Sequence, residues 1–309
     1  MKNKSNYISF IFLCLGSVIL CSCNNNPAPT TPRDTTTSGS ALIASDSLYK
    51  SMVDSEIQVF TSEYKDASIQ VNYTNEAMAV KAFLTDSVKG IIIGRELKPS
   101  EIKIFKDKKK YEPRTVRLAT DAVAVIVHPD NPVDEITVDQ LNNIINGTTT
   151  DWGNGTKISV IIDNEGSGMI SFLQDSVLKG GNFGKTVFAL PAGESMLDYI
   201  SSHKNAVGFI GVNQITSYDK DSNQLFPKEI KPLGISKLSG RKFYKPYQAY
   251  VASRNYPLLR FTNFIFNETH KGITSGFASF IGSDKGQRII LKDGLVPSNS
   301  PIRLIQINN

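Results

Sequence analysis

The chain has 309 residues, with 34 lysines and arginines against 29 aspartates and glutamates and a formal net charge of +5 at pH 7. That length suits one large domain or two smaller ones, and so slight a basic excess argues against a nucleic-acid partner. The three cysteines, Cys14, Cys21 and Cys23, all lie near the start, which leaves the remainder without disulfide or thiolate chemistry. His128, His203 and His270 are scattered without ligand spacing, so neither a metal nor a cofactor is expected.

Lys2 and Lys4 precede a mostly apolar run from Ile8 to Leu20, which ends at Leu20-Cys21-Ser22-Cys23. A charged start, a short apolar core and small residues at a cut site make an export signal, too short to span a membrane comfortably. The cut site resembles a bacterial lipobox: Leu20 stands three residues before Cys23 and Ser22 just before it. Residues 1–22 are therefore expected to be a lipoprotein signal peptide, and Cys23 the lipidated residue. Residues 23–40, rich in Asn, Pro, Thr and Ser without apolar periodicity, are expected to form a disordered tether. The predicted location is the bacterial cell envelope, lipid-anchored and facing the periplasm.

From Ala41 onward, strands and helices alternate. "ALIAS" reads as a strand, and Leu48, Met52, Val53, Ile57, Phe60 and Tyr64 then recur at helical spacing. Ile69, Val71 and Tyr73 alternate as a strand, "NEAMAVKAFLTD" reads as a helix and "GIIIG" as a buried strand. A helix begins near Pro99, a favoured first-turn residue. Its basic end, Lys106 to Lys110, is most simply a solvated face.

A second block opens with "TVRLATDAVAVIVHP". Thr137 and Gln140 then form a capping box before "TVDQLNNII", which Gly147 closes. After the turn "DWGNG", where Trp152 is assigned to packing, come the strand "KISVII", a Gly-Ser-Gly turn with a helix behind it, the helix "ESMLDYI" and the strand "AVGFIG". Helical spacing in "SGFASFIGSDKGQRIILKDGLVP" runs up to a stop at Gly294. The rhythm predicts an α/β fold of mainly parallel strands with crossover helices. Function is then sought just after the strands: at Asp46 and Ser47, Asn75 and Glu76, Gly94 to Glu96, and Glu165 to Gly168.

Gly166-Ser167-Gly168 opens a helix. A helix amino terminus offers unpaired N–H groups and partial positive charge, and glycines let an anion approach closely. Ser167 could serve equally as an ordinary helix cap. Asp163 and Glu165, just upstream, suit a proton-bearing anion or a different, cationic or hydroxylated ligand.

The segments "ATDAVAVIVHPDNPVDEITVDQLNNIINGTTTDW", "EGSG", "AVGFIGV" and "FASFIGSDKGQRIILKDGLVP", in that order, resemble the phosphate-binding-protein family, the extracytoplasmic receptors of ABC phosphate importers. "DSLYKSMVDSEIQVFTSEY" and "EAMAVKAFLTDSVKGIIIGRELKPSE" resemble its amino-terminal part. The resemblance implies a two-lobed clamp of mixed, mainly parallel sheets flanked by helices. Residues 41–118 plus 245–309 would form lobe one and 119–244 lobe two, with Leu118 to Asp121 and Tyr244 to Tyr250 near the hinge. The ligand would be phosphate or a similar small oxyanion, and the other partner an ABC importer permease.

The resemblance nominates Ser47, Arg95, Asp121, Gly166, Ser167 and Gly168 as ligand contacts, with Asp121 as acceptor or organiser. Two departures from the family pattern stand out. Asp163 and Asn164 occupy the positions where an arginine commonly precedes the turn, and Met169 replaces a threonine after it; Arg95 is the candidate to restore the charge from the opposite lobe. A serine hydrolase reading is disfavoured, because Glu165 and Met169 break the Gly-x-Ser-x-Gly elbow. The expectation is a monomeric, noncatalytic receptor; the alternative is a sensor or surface lipoprotein that keeps the clamp but binds a different ligand.

Overall fold

The chain alternates short apolar strands with amphipathic helices, and the computed structural model shows how they stack; it describes residues 34–191, 193–220 and 223–299. The expected signal peptide, Cys23 and most of the expected tether lie outside the described residues. β1 (Gly39–Asp46), α1 (Lys50–Glu63), β2 (Ala67–Thr74), α2 (Glu76–Leu84) and β3 (Gly90–Ile93) are two crossover units. β1 lies parallel to both β2 and β3. α3 (Pro99–Lys109) leads into β4 (Arg114–Val127), the longest strand at 14 residues.

The second half contains β5 (Glu135–Thr137), α4 (Val138–Ile145), β6 (Ser159–Ile162), α5 (Gly168–Phe172), β7 (Val187–Ala189), α6 (Met196–Ser202), β8 (Ala206–Gly211) and α7 (Val212–Ile215). The short strands β9 (Ser217–Tyr218), β10 (Gln224–Leu225), β11 (Lys231–Pro232) and β12 (Gly234–Ser236) follow, then α8 (Gln248–Ala252). The chain returns through β13 (Leu259–Phe266) to α9 (Ile273–Ile281), α10 (Asp284–Lys292) and β14 (Val296–Pro297).

The main sheet runs β2-β1-β3-β13-β4-β8-β6-β7, with β11 and β14 also paired to β4. β4 is shared. Its first part pairs antiparallel with β13, from Arg114 opposite Phe266 to Ala122 opposite Leu259. Its second part, Val123 to Val127, pairs antiparallel with β8. One strand therefore serves two bodies of structure and changes partner between Ala122 and Val123.

Three apolar cores follow from this layout. α1, α9 and α10 cover one face of the first half, where Phe60 meets Phe277 and Phe280 at ring-centroid distances of 5.2 and 5.3 Å. α2 and α3 cover the other face, where Phe83 stacks on Phe105 at 5.1 Å. The core of the second half gathers residues from Ala122 to Ile235 and also Val251, Tyr256 and Leu258, so it draws on chain beyond residue 244.

Two boundaries differ from the sequence expectation. Defined contacts extend ahead of Ala41: β1 starts at Gly39, and Asp34 accepts from Ile273 N at 3.1 Å while facing His270 Nε2 at 2.9 Å. The start of α9 offers unpaired N–H groups, and Asp34 supplies an oxygen for one of them. The closing helical stretch is two helices, because Ser283 caps a new start with its hydroxyl accepting from Gly286 N. Trp152 packs against the second core and donates to Asn205 O at 3.2 Å, as its packing assignment required.

α1 carries one anomaly. Met52, Val53, Glu56 and Phe60 form its buried stripe, so a carboxyl occupies an apolar position. Neither Glu56 oxygen has a hydrogen-bond partner, and burial pushes the group up to about 9. Because the folded value is raised, the folded chain takes up a proton that the unfolded chain releases above its ordinary value of 4.5. Stability is lost as pH climbs toward 9. Glu56→Met is expected to stabilise the protein by about 3 kcal/mol at pH 7, an advantage that shrinks toward pH 4; urea unfolding across that range measures it.

Candidate ligand-binding cleft

The carboxyl ends of β1, β2, β3 and β6 converge on one cleft between the halves. β1 ends at Asp46, whose carboxylate accepts from Leu48 N at 3.1 Å. β2 is followed by Asn75, which caps α2 by accepting from Met78 N at 2.9 Å and so places Glu76 in the first helical turn. β3 delivers Gly94 and Arg95. From the facing half, β6 delivers the turn Asp163 to Ser167.

Gly166 has φ of +82°, a conformation that favours glycine, and a Cβ there would meet the Asn75 side chain at 3.1 Å. Ser167 caps α5, its hydroxyl accepting from Met169 N at 3.0 Å, and the residue is buried. Gly168 makes the closest approach. A Cβ there would stand 2.8 Å from both Asp46 Oδ2 and Glu76 Oε2. The place offered to an anion by the glycine turn is thus faced by two buried carboxylates from the other half.

Other contacts join the halves around this point. Ala77 N donates to Gly166 O at 3.0 Å and Asn75 Nδ2 to Glu165 O at 3.3 Å. Asn213 Nδ2 reaches Leu48 O at 3.2 Å and Asp293 Oδ2 at 3.3 Å. Beside the Gly168 contact lies a cavity of about 330 Å³ lined by Glu76, Gly94, Arg95, Gly168, Phe172 and Arg260, among others. Leu48, Asp163 and Met169 line a second cavity, of about 320 Å³.

The nominated residues separate in their surroundings. Gly166, Ser167 and Gly168 lie together at the cleft. Ser47 is exposed, and its hydroxyl donates to Thr74 O at 3.1 Å, tying the ends of β1 and β2. Arg95 lines the cavity but its donors are engaged: Nε on Glu76 at 2.7 Å, and the two terminal nitrogens on Glu101 at 2.8 and 2.9 Å. Asp121 is engaged at both oxygens. Its Oδ1 accepts from Ala122 N at 2.7 Å, and its Oδ2 accepts from both Nε and Nη2 of Arg260.

Arg260 was not among the nominated residues, although an arginine inside the apolar run "YPLLRFTNFIF" is a sign of a paired buried charge. Asp46 and Glu76 stood at positions singled out by the strand-end rule, without a role assigned.

The PBP superfamily domain model matches residues 30–285. The chain belongs to the PBP superfamily. Among its relatives in that superfamily, the phosphate-binding protein PstS of Pseudomonas aeruginosa is 24% identical over 255 residues, covering 76% of this chain and 75% of its own length. A Clostridium perfringens substrate-binding protein solved with bound phosphate aligns with TM-score 0.69 and 20% identity, covering 84% of this chain and 99% of that one. An ABC-type phosphate transport receptor from Vibrio cholerae aligns with TM-score 0.67 and 20% identity, over 84% of this chain and 100% of that one. The two-lobed α/β architecture of a PBP superfamily member agrees with the shared strand and the cleft. Among the described residues no helix is long and apolar enough to cross a membrane.

Electrostatics singles out Asp46. Burial, with Glu76 and Asp163 adding repulsion, pushes its carboxyl up to about 6, against the pull of Leu48 N–H and Arg260. The raised value means that Asp46 supports the fold below its ordinary pKa of 3.8 and that this support is lost as pH rises through about 6. Asp46→Asn keeps an acceptor for Leu48 N and removes the charge. It is expected to stabilise the protein by about 3 kcal/mol at pH 8 and to leave stability unchanged near pH 4, in urea unfolding at both values.

Proposed function

We propose that this protein binds phosphate, or a similar small oxyanion that retains a proton, in the interlobe cleft and passes it to an ABC importer. In this reading Cys23 carries a lipid that holds the protein at the envelope facing the periplasm, and the protein works as a noncatalytic monomer. The observation that carries it is the meeting of the buried Ser167-Gly168 turn with Asp46 and Glu76 across the cleft. Backbone N–H groups at the start of α5 suit an oxyanion's bare oxygens. The carboxylates suit its hydroxyl, because an ionised carboxylate can only accept, and they repel an oxyanion that has lost every proton. The names of the relatives, a phosphate-binding protein and a phosphate transport receptor, support the same ligand.

Closure on the ligand would be a hinge movement stabilised by contacts from both halves. Four such contacts already cross the cleft. Lys98 Nζ adds a fifth, to Asp175 at 3.6 Å, though about half exposed and so worth little.

A second reading has its own observation. Arg95 is consumed by Glu76 and Glu101, and Asp163 stands where the family resemblance leads one to expect an arginine. A clamp so rich in acid would suit a cationic or hydroxylated ligand, in a sensor or surface lipoprotein.

Thermal unfolding of the full chain in detergent, with phosphate or sulfate at fixed ionic strength, separates the two. Phosphate at 100 times its Kd is expected to add about 2.7 kcal/mol of stability, and sulfate nothing. The preference for phosphate over sulfate should be weaker at pH 5.5 than at pH 7.5, because Asp46 takes up a proton as the pH falls through about 6 and then no longer acts only as an acceptor. Glu76→Gln should admit sulfate. If no oxyanion moves the transition at either pH, the second reading replaces the first.

A further inference from the structure

The cavity is lined by two arginines, and only one of them has a guanidinium nitrogen with no hydrogen-bond partner. Arg95 directs all its nitrogens at Glu76, Glu101 and the Glu96 carbonyl. Arg260 is 3% exposed, places Nε and Nη2 on a single oxygen of Asp121, and leaves Nη1 buried without a hydrogen-bond partner. A buried charged donor left unpaired is expensive, so native structures keep one where another group comes to meet it.

We propose that Arg260 is the ligand-binding cation of this cleft, with its Nη1 reserved for an anionic oxygen and Asp121 as its positioning residue. The proposal rests on the oxyanion reading above and assigns its charge to a residue of β13 rather than to the loop before the glycine turn.

The surroundings of the guanidinium support it. Tyr49 Oη and Asn213 Oδ1 are likewise buried without partners. The Tyr49 ring centroid lies 5.9 Å from Arg260 Cζ. A Cβ at Gly94 would lie 2.8 Å from Tyr49 Oη and 3.7 Å from Arg260 Cδ; one at Gly211 would lie 2.8 Å from Asn213 Oδ1 and 3.3 Å from Arg260 Nη2. Both glycines keep side-chain bulk away from the guanidinium, one from each half of the protein.

The three unpartnered atoms ask for different things. The guanidinium needs an acceptor, the amide oxygen needs a donor, and the phenol takes either. A tetrahedral oxyanion that keeps a proton supplies both kinds, whereas sulfate supplies acceptors alone. Asp121 already accepts three hydrogen bonds, two of them from Arg260, and its side chain is buried, so its part is to hold the guanidinium. It fixes the plane of the guanidinium, which a lysine could not reproduce.

The test is phosphate and sulfate titration calorimetry on the full chain in detergent at pH 6, for wild type, Arg260→Lys and Asp121→Asn, together with a crystal structure of the wild-type phosphate complex. Arg260→Lys is expected to weaken phosphate at least about tenfold. Asp121→Asn is expected to weaken phosphate while leaving the number of binding sites per chain unchanged, a number that a simple loss of folded protein would lower. In the complex a phosphate oxygen is expected within hydrogen-bond distance of Nη1. The proposal is overturned, with the oxyanion reading intact, if wild type binds phosphate and that oxygen position is filled by water alone. Equal affinity in folded Arg260→Lys overturns it too. The crystal structure decides the matter even where the variants do not fold. No binding of either anion by wild type overturns both readings together.

Discussion

The Asp121–Arg260 pair sits at the one place where the sheet changes hands. Asp121 faces Arg260 across β4 and β13, and one residue further on β4 leaves β13 to pair with β8. Both side chains are essentially inaccessible. Buried ion pairs often add little net stability, because desolvation offsets attraction, but removing one partner strands the other. Here the pair pins register at the crossing: a slip of one residue would turn Asp121 to the opposite face of the sheet and leave Arg260 unpaired.

From that point the rest of the cleft follows. With the crossing fixed, the carboxyl ends of β1, β3 and β6 are brought face to face, and Asp46, Glu76 and the glycine turn meet. A helix amino terminus against two acids is electrostatically favourable on one side and repulsive on the other, since the acids also face each other and Asp163. Burial resolves the conflict in part by keeping the Asp46 carboxyl easier to protonate than usual.

Much of this was legible in the sequence because it is local. The capping box at Thr137 and Gln140 forms as its spacing required, with Gln140 N on Thr137 Oγ1 at 3.1 Å and the reciprocal bond at 2.8 Å. The strand-end rule points to Asp46, Glu76 and Gly168 from their positions in the sequence alone. The Asp121–Arg260 pair was not legible, because its partners lie 139 positions apart and only sheet register joins them. The partner of Arg95 was hidden for a related reason: the arginine stands after a strand as its position suggests, and Glu101, in the first turn of α3, pairs with it. The anchoring of Asp34 was hidden in polar composition, since a single carboxylate over the amino end of α9 leaves no periodic trace.

β4 has a consequence for how such a protein can diversify. The crossing serves folding, register and charge at once, so most changes at Asp121, Ala122 or Arg260 would disturb several properties together. The rim residues Asp163, Asn164, Glu165 and Glu96 carry no comparable burden: they are exposed or half-buried, and none belongs to a core. New ligand preferences are therefore accessible through the loops at small structural risk, while the strand beneath them stays unchanged. A lineage of such clamps could drift widely in what it carries and very little in how it bends.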